Sequence, residues 1–466
     1  MADMICRMGS RFVIENPSPE LLEYCEKHYV LANPEYAKKV RMGLWLGDTP
    51  KQIALYETRG NQLILPYGVM DEMVPFIRDA QMDPQFAPVR RVRYRFNRLK
   101  LYDYQQEAVE HMLESRHGIL VSPAGSGKTQ MGLSIIARYC RQALWLTHTA
   151  DLLRQSLARA TMLLDGKRMG TITAGRINVG ENITFATVQT MAKLDLNNFK
   201  NMWDVIVVDE CHHAATSPTS MTQFGKVLNG LAARHKFGLT ATAHRSDGLM
   251  PAVYALLGGI QYIVPASAVA DRILNVGIRP VFTGIERSPE CLNTDGTTNY
   301  TRLINYLAKN RERSRIIADK IIAEKGRSCL ILSDRIEHLE TLRGMLPPEM
   351  IEKSAIITGK MTSKAGRDDR EKAIKAMRVG KLKYLFASYQ LAREGLDIPC
   401  LERLFLATPV KDEAVVIQAI GRVARVEEGK ADPVAYDFVD AIRYCESAFK
   451  VRKRHYRKID AYIQDV

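Results

Sequence analysis

The sequence predicts an α/β fold with two tandem parallel-sheet lobes that follow a small N-terminal α+β domain. Short, continuous apolar runs recur from residue 119 onward, and helical patterns separate them. Runs of this kind, such as the β-branched run at 205–208, are typical of parallel strands that are buried on both faces. Their alternation with helical patterns indicates repeated β-α units, and two such series follow each other along the chain.

The two series divide the chain into four predicted parts. The first series lies at 119–121, 143–147, 183–187, 205–208 and 237–240, and the second at 329–333, 355–358, 384–387, 403–406 and 434–438. We predict a small N-terminal domain at 1–88, a first lobe at 89–275, a second lobe at 276–445 and a basic C-terminal helix at 446–466. The less regular region 258–310 is rich in turn-forming residues and is the predicted hinge between the lobes.

The composition favours a polyanionic partner. The 466 residues include 66 basic and 52 acidic side chains, which gives a formal net charge of +14. Nucleic acid is the first candidate partner, and an anionic membrane surface is the second. The basic stretches 90–100 and 450–458 also carry aromatic residues, so each is either a contact to a phosphate backbone or a solvated face.

The sequence favours neither export nor membrane insertion. Residues 1–16 lack a basic start followed by an apolar core. The uncharged stretch 248–270 is long enough to span a bilayer, but Pro251, Gly258 and Pro265 interrupt it, so we predict a buried helix followed by a strand. The eight cysteines include no Cys-x-x-Cys pair, which indicates reduced thiols in a cytoplasmic protein.

The segment "GILVSPAGSGKTQMGLSIIARY" predicts a phosphate-binding loop between a short strand and a helix. Glycines let such a loop turn and aim its N–H groups at a polyphosphate, which also feels the positive end of the helix. Lys128 is the predicted cation for the β and γ phosphates, and the Thr129 hydroxyl is a predicted Mg²⁺ ligand. Ser122 replaces the first glycine of the usual pattern. The predicted nucleotide contacts in the loop are Gly125, Ser126, Gly127, Lys128 and Thr129.

The stretch "VIVVDECHHAA" supplies the partner of this loop. Asp209 and Glu210 follow the buried strand at 205–208, and ligands of open α/β sheets bind at the carboxyl ends of the strands. We predict Asp209 as the Mg²⁺ partner and Glu210 as the group that orients the attacking water. A zinc site at Cys211, His212 and His213 is the alternative, but it lacks the second ligand pair of structural zinc sites.

In the order of its motifs the first lobe resembles the superfamily 2 helicases, whose lobes are RecA-like. The matching segments are "LYDYQQEAV", "LWLTHTADLLRQ", "FATVQTM", "DECH" and "LTATAHR". The resemblance implies that Gln105 binds adenine and that His212, Thr240 and Thr242 couple hydrolysis to the other motifs. The implied nucleic-acid contacts of this lobe are Thr147, Gln155, Thr187 and Gln189.

The second lobe continues the series with "LILSDRIEHLETL", "FASYQLAREGLDIP" and "QAIGRVAR". The resemblance implies a nucleic-acid contact at Arg335 and nucleotide contacts at Gly395 and Asp397. Gln418, Arg422 and Arg425 are four and then three residues apart, so we predict that they lie near one helix face. The two arginines are predicted to stabilise the charge of the phosphoryl-transfer transition state.

Within the superfamily the chain resembles the group that holds the XPB repair helicases and the phage UvsW branch-migration helicases. "HRSDG" matches the ends of an Arg-Glu-Asp element of that group, with Ser246 in place of glutamate, and residues 33–68 resemble its duplex-binding domain. The resemblance implies an ATP- and Mg²⁺-dependent 3′-5′ DNA helicase that acts on forked or branched DNA, in the host cytoplasm if a phage encodes it. The sequence leaves the oligomeric state open, a monomer included. An RNA helicase, a restriction translocase subunit and an ATP-gated DNA-binding module without unwinding remain alternatives.

Overall fold

The computed structural model describes residues 4–88, 90–96, 100–164, 169–214, 223–242, 245, 247–272, 274–359, 361, 363–393, 396, 398–427 and 429–464, with only the backbone at 270–272, 364 and 393. The chain forms two units. One comprises Met1–Ser122 and Gly127–Pro265, and the other Pro123–Ser126 and Ala266–Val466. Residues 266–275 therefore group with the second unit, although the sequence analysis assigned them to the first lobe.

The N-terminal region of the first unit folds around a mostly antiparallel five-stranded sheet. Its elements are β1 (Ile5–Met8), β2 (Arg11–Glu15), α1 (Pro19–His28), β3 (Val30–Ala32), α2 (Pro34–Arg41), β4 (Gln52–Ala54), β5 (Glu57–Arg59), β6 (Gln62–Pro66), α3 (Met70–Met73) and β7 (Gln81–Pro84). The strand order is β5-β6-β2-β1-β7. Alternating apolar residues of β2 and β6 pack against Leu21 and Cys25 of α1 and bury the core of this region.

This region packs on the lobe that follows it. Ala255 of the lobe belongs to the buried apolar cluster of the N-terminal sheet. Gly68 approaches the lobe so closely that a Cβ atom there would lie 2.3 Å from the backbone nitrogen of Gly258. The buried Lys236 donates from Nζ to the backbone oxygen of Ser10 at 3.1 Å. The N-terminal sheet is therefore fixed to the lobe through backbone contacts.

The first lobe is an eight-stranded sheet flanked by helices. Its elements are α4 (Asp103–Ser115), β8 (Gly118–Val121), α5 (Lys128–Tyr139), β9 (Ala143–Thr147), α6 (Ala150–Leu163), β10 (Met169–Thr173), β11 (Arg176–Asn178), β12 (Ile183–Thr187), α7 (Val188–Met191), β13 (Val205–Asp209), α8 (Gln223–Gly230), β14 (His235–Thr240), α9 (Met250–Leu257) and β15 (Ile260–Ile263). The strand order is β11-β10-β12-β9-β13-β14-β8-β15, and only the β10–β11 pair is antiparallel. All five predicted strands are present, whereas the β10–β11 hairpin was not predicted because it is short and polar.

The second lobe is a seven-stranded parallel sheet. Its elements are β16 (Gly277–Phe282), α10 (Tyr300–Lys309), α11 (Arg311–Ala323), β17 (Cys329–Ser333), α12 (Ile336–Gly344), α13 (Pro348–Glu352), β18 (Ser354–Ile357), α14 (Lys364–Arg378), β19 (Tyr384–Ser388), α15 (Tyr389–Arg393), β20 (Arg403–Leu406), α16 (Glu413–Val423), β21 (Val434–Val439), α17 (Arg443–Lys458) and β22 (Tyr462–Ile463). The strand order is β18-β19-β17-β20-β21-β16-β22.

Two features of this lobe differ from the sequence prediction. β16 lies inside the region predicted to be irregular, because Arg279 and Pro280 break its apolar run and proline argues against an interior strand. The C-terminal helix α17 begins at Arg443, and the chain after it adds β22 to the sheet edge. The C-terminal residues are therefore part of the second lobe.

The uncharged stretch 248–270 contains α9 and β15, as the sequence predicts. No helix in the described parts of the chain is both long enough and apolar enough to cross a membrane. All eight cysteines are free thiols, and six of them are buried.

Candidate nucleotide-binding and catalytic site

The predicted phosphate loop connects β8 to α5, and its glycines adopt the left-handed conformation that the turn requires. Gly125 and Gly127 have φ angles of 87° and 85°. A Cβ atom at Gly127 would lie 2.4 Å from Nε2 of Gln105, so a larger residue has no room there. The Ser126 hydroxyl donates to the Pro123 oxygen at 2.7 Å. Ser122 is not among the positive-φ residues, so the first position of the motif does not require glycine here.

Lys128 and Asp209 supply the charges of the site. Lys128 Nζ donates to the Ser122 backbone oxygen at 3.3 Å. The buried Asp209 carboxylate accepts hydrogen bonds from the Ser156 hydroxyl at 3.2 Å and from the Glu210 backbone N–H at 3.1 Å. Burial, and next the neighbouring Glu210, raise the pKa of Asp209 to about 7, while Lys128 opposes the shift.

These residues fit a magnesium nucleotide. Two glycines at positive φ leave a turn free of side chains, and the lysine opens the following helix. A buried carboxylate beside a second carboxyl group is the kind of donor that a divalent cation favours, and Thr129 adds a hydroxyl one residue after Lys128. Lys128, Thr129 and Asp209 are therefore the residues that would hold the nucleotide and its metal ion.

Thr240 connects the acidic box to the phosphate loop. In the sheet, β14 lies between β13, which ends at Asp209, and β8, which leads into the phosphate loop. The Thr240 hydroxyl lies 2.9 Å from Nδ1 of His212, and the Thr240 backbone oxygen accepts from the Ser122 N–H at 2.9 Å. The same hydroxyl donates to the Thr242 backbone oxygen at 2.8 Å. One residue therefore contacts all three predicted motifs.

Glu210 extends this network toward His212. Its backbone has a φ angle of 50°, an unusual value for a residue with a side chain. Its Oε2 atom lies 3.5 Å from Nδ1 of His212. Arg245, the first residue of the "RSD" segment, donates from Nη1 to the His212 backbone oxygen and pairs with Asp247 through Nε at 3.0 Å. Ser246, the substituted position of that segment, lies outside the described residues.

Gln105 lies beside the phosphate loop, as an adenine-binding residue must. It is buried, and its Oε1 atom accepts from the Tyr102 backbone N–H at 3.1 Å at the start of α4. Its Nε2 atom lies 3.3 Å from Oε1 of Gln130. Gln130 and Ser156 were not predicted as residues of this site. The only signal for them was helical spacing, because each is a polar residue on the face of its helix that points to the site.

The two unexplained residues of the acidic box are packed into the lobe. A Cβ atom at Gly238 would lie 2.7 Å from Sγ of Cys211, and burial raises the pKa of the Cys211 thiol well above its usual value. The His213 ring packs against the rings of His212 and His148, with centroids 4.1 and 4.0 Å apart and ring planes tilted by 42° and 40°. Within the described parts of the chain, no group of His, Cys, Asp and Glu side chains is arranged to hold a metal ion by itself.

The predicted nucleic-acid contacts of the first lobe fall into two kinds. Thr147 and Thr187 end the paired strands β9 and β12 opposite each other, but both side chains are buried. The Thr147 hydroxyl donates to the Thr149 backbone oxygen at 3.0 Å, and the Thr187 hydroxyl lies 2.9 Å from the Thr190 hydroxyl. Gln155 and Gln189 are exposed, and Gln189 donates from Nε2 to the His148 backbone oxygen at 2.6 Å. The two threonines therefore stabilise the turns, whereas both glutamines lie on the surface of the lobe.

The predicted arginine fingers lie at the end of α16 in the second unit. The Arg422 guanidinium donates to the backbone oxygens of Ala392 and Leu396, at 3.0 and 3.2 Å. Gln418, one turn earlier, is buried, and its Oε1 atom has no hydrogen-bond partner among the described residues. Arg335 of the same unit donates from Nε to Asn305 at 2.6 Å. Gly395 and Asp397 lie outside the described residues.

The prediction that Arg425 shares a helix face with Gln418 and Arg422 is wrong. α16 ends at Val423, so Arg425 lies beyond the helix. Lys430 donates from Nζ to the backbone oxygens of Val423 and Arg425, both at 2.7 Å. These carbonyl groups therefore bond to a lysine from the following loop instead of continuing the helix.

The two basic stretches are partly structural. The Tyr94 hydroxyl donates to the Arg141 backbone oxygen at 2.7 Å, so this ring anchors its segment and is not available to stack on a base. In the tail, the buried Arg452 forms two hydrogen bonds with Asp437, and the Tyr456 hydroxyl donates to the same carboxylate at 2.6 Å. Among the described residues of the first stretch, the arginines Arg90, Arg91, Arg93 and Arg95 are exposed.

Two family models match this chain. The model described as "Type III restriction enzyme, res subunit" matches residues 98–245, and "Helicase conserved C-terminal domain" matches residues 312–427. The first range contains the phosphate loop, the acidic box and Thr240, and the second contains α16. Both halves of the predicted motif series therefore lie inside the matched domains.

Several known proteins are similar over much of the chain. A probable helicase of Escherichia phage T5 is 26% identical, covering 69% of this chain and 67% of its own. The DNA 3′-5′ translocase XPB2 of Sulfurisphaera tokodaii is 25% identical, with 72% and 81% covered. A protein of Acanthamoeba polyphaga mimivirus, whose name proposes an ATP-dependent RNA helicase, is 25% identical, with 71% and 62% covered. The chain thus spans between three fifths and four fifths of the length of these relatives.

A solved structure confirms the fold class. A fragment described as an HsdR subunit of a type I restriction enzyme from Vibrio vulnificus matches with a TM-score of 0.56, at 16% identity, over 97% of this chain and 87% of its own. The α/β class with two RecA-like lobes and a small N-terminal domain is therefore correct.

Proposed function

Because the chain belongs to the superfamily 2 helicases, a family of ATP-hydrolysing enzymes, we propose that it is a DNA translocase that moves 3′ to 5′ and remodels forked or branched DNA. The bonds of Thr240 carry this proposal, since they join the acidic box, the phosphate loop and Thr242 in one lobe. A relative named as a DNA 3′-5′ translocase and a net charge of +14 support DNA as the substrate.

The hydrolysis chemistry assigns a role to each residue of the site. A bound Mg²⁺ ion would neutralise charge on the phosphates. Lys128 would hold the β and γ phosphates, and Thr129 and Asp209 would hold the metal ion. Glu210 would orient the attacking water. By the family resemblance, Arg422 and Arg425 would supply the additional positive charge, which in related phosphoryl transfer is worth on the order of a thousandfold or more in rate.

The coupling of hydrolysis to movement runs through Thr240. Its hydroxyl contacts both His212 and the Thr242 backbone oxygen. A shift of the acidic box on ATP hydrolysis therefore displaces the 240–242 segment. The exposed Gln155 and Gln189 follow the neighbouring strands β9 and β12, where a nucleic-acid strand would contact them.

Steady-state ATP hydrolysis tests the proposal. The wild type, Lys128→Ala and the control Lys372→Ala are compared, because Lys372 is an exposed lysine far along the chain from the loop. Single strands, duplex, forks, four-way junctions and RNA serve as separate activators. We expect hydrolysis to be stimulated most by forks or junctions, to be lost in Lys128→Ala and to be unchanged in Lys372→Ala. Turnover in Lys128→Ala would overturn the loop assignment.

Salt provides a second test of backbone contact. The logarithm of the binding constant should fall with the logarithm of salt concentration, with a slope of about 0.9 for each duplex phosphate neutralised. A flat response would contradict tracking of the phosphate backbone.

An RNA helicase is the second candidate, since a relative of similar identity is named for that activity. Stimulation of hydrolysis by RNA alone would favour it over the DNA translocase. Hydrolysis stimulated by DNA without strand displacement or branch movement would instead indicate an ATP-gated binding module.

A further inference from the structure

The segment 38–51 of the N-terminal region, here called the Trp45 loop, exposes several large apolar side chains to solvent. α2, which leads into it, contains no buried residue. Trp45 is 87% exposed, and Val40, Met42 and Leu44 are each more than half exposed. A contiguous apolar patch of this kind marks a binding surface.

The loop is held in a defined shape. Gly43 and Gly47 adopt φ angles of 62° and 49°, and backbone hydrogen bonds join Leu44 to Lys39 at 2.9 Å and Thr49 to Leu46 at 3.0 Å. A Cβ atom at Gly47 would lie 2.8 Å from the Trp45 ring, so the ring lies over the backbone of this glycine. The ring is thus supported on one side and exposed on the other.

The base of the loop is fixed to the rest of the first unit. The Lys39 ammonium group donates to the Thr49 hydroxyl at 2.6 Å, and the Asn33 N–H donates to the Lys51 backbone oxygen at 3.0 Å. The flanking strands β3 and β4 pair with each other, and their Leu31 and Ile53 pack against the apolar core of the first lobe. The loop therefore moves with the lobe that carries the ATP site.

The charges around the ring favour nucleic acid as the occupant. The segment 38–51 contains four basic residues and one acidic residue, and Lys38, Arg41 and Lys51 are exposed. Lysine is depleted at protein–protein interfaces, whereas cations beside an exposed aromatic ring are typical of surfaces that bind unpaired nucleotides. Apolar side chains such as Met42 and Leu44 are the type that proteins insert between base steps.

We propose that Trp45 stacks on an unpaired base at the branch point of a DNA substrate, with Met42 and Leu44 beside it and Lys38, Arg41 and Lys51 on the adjacent phosphates. This inference rests on the proposed DNA-remodelling function and assigns the strand-separating contact of that activity. Because the loop is preformed, binding costs little conformational entropy. Stacking on an aromatic ring is also tolerant of base identity, so one tryptophan can bind many different bases.

Intrinsic fluorescence tests the proposal directly, because the three tryptophans differ in exposure. Trp145 and Trp203 are buried, so Trp45 is the one whose emission a stacked base can quench. The full-length, nucleotide-free wild type, Trp45→Phe, Trp45→Ala and the control Phe282→Ala are titrated with a fork, a single strand and a blunt duplex. Phe282 is a matched control because it is an exposed aromatic residue of the second unit.

We expect forks and single strands to quench wild-type emission, and Trp45→Phe to lose the quenching while it keeps most of the affinity. Trp45→Ala should weaken fork binding roughly tenfold or more, the range that one stacked base provides. Phe282→Ala should bind as the wild type does. The blunt duplex should quench little.

Wild-type affinity in Trp45→Ala, or equal quenching in Trp45→Phe, would overturn the stacking role. Self-association of the DNA-free protein that Trp45→Ala abolishes would assign the surface to a second copy of the chain and would also overturn it. Normal DNA-stimulated hydrolysis together with either result would leave the proposed function standing. Absence of any DNA binding by the wild type would refute both.

Discussion

Replacing Arg313 with methionine removes one half of a fully buried ion pair in the second lobe. Arg313 donates from Nε to Oδ1 of Asp440 and from Nη1 to the Ala407 oxygen, both at 2.7 Å. The Thr283 hydroxyl donates to the same Asp440 oxygen at 2.7 Å. Because Ala407, Asp440 and Thr283 directly follow β20, β21 and β16, this pair joins the carboxyl ends of three strands.

The magnitude follows from the charge that remains. Without Arg313, the Asp440 carboxylate stays buried with one hydroxyl donor, and loss of one partner of a buried pair costs about 3 to 5 kcal/mol in the free energy of unfolding. This corresponds to roughly two to four orders of magnitude in the unfolding equilibrium. The double variant Arg313→Met with Asp440→Leu should recover most of the loss, since Nη2 and Oδ2 have no hydrogen-bond partner among the described residues.

Hydrogen exchange measured by mass spectrometry separates the two units. Peptides that cover β20 and β21 should lose protection in Arg313→Met and regain it in the double variant. The three tryptophans all lie in the first unit, so the fluorescence transition in urea should not move and serves as the internal control. Unchanged protection in β20 and β21, or a double variant as unstable as the single one, would refute the reasoning.

Three further changes test other contacts. Lys430→Met should lower the turnover of ATP by roughly one to two orders of magnitude with little change in KM. The reason is that the Lys430 Nζ atom fixes the end of α16 through a hydrogen bond to the Val423 oxygen at 2.7 Å. A normal kcat in this variant would contradict the prediction. Gly68→Ala should loosen the N-terminal sheet from the first lobe and increase its protease sensitivity, because its Cβ would meet backbone atoms at 2.3 Å. Gly259→Ala, which meets nothing within 4 Å, should resist as the wild type does, and equal cleavage of the two variants would count against the contact. Burial lowers the pKa of Lys236 from 10.5 to about 7. Between these two pH values the unfolded chain therefore binds more protons than the folded one. The free energy of unfolding of the first unit should rise with pH from about 7 toward 10, by up to about 1.4 kcal/mol per pH unit. The urea midpoint followed by tryptophan emission should lose this increment in Lys236→Met, and equal pH profiles for the two proteins would be inconsistent with a buried lysine.

Much of the first lobe could be predicted from the sequence because its signals are local. The strands Ala143–Thr147 and Ile183–Thr187 have the bounds that their apolar runs predict. Consecutive apolar residues identify a strand that is buried on both faces without knowledge of its neighbours. The phosphate loop is similarly local, since strand, glycines, lysine and helix follow each other within a dozen residues.

Predictions failed where a distant residue decides the outcome. β16 contains Pro280, and its place in the sheet depends on β21 and β22, which lie more than 150 residues later. The position of Arg425 depends on Lys430, which binds the carbonyl groups at the end of α16. Helical spacing alone predicted a continued helix, because the pattern of side chains does not reveal where a backbone carbonyl finds its partner.

The sequence by itself determined the α/β class, the order of the motifs and the chemical groups of the ATP site, because these depend on residue type and spacing over short distances. Only the tertiary structure decided that Thr240 contacts both the acidic box and the loop, and that the N-terminal sheet is fixed to the first lobe. It also decided the exposure of Trp45, since a tryptophan in an apolar stretch is ordinarily expected in a core. Whether a side chain is buried depends on the residues that pack against it in the folded chain, and the sequence neighbours of a residue do not show which residues these are.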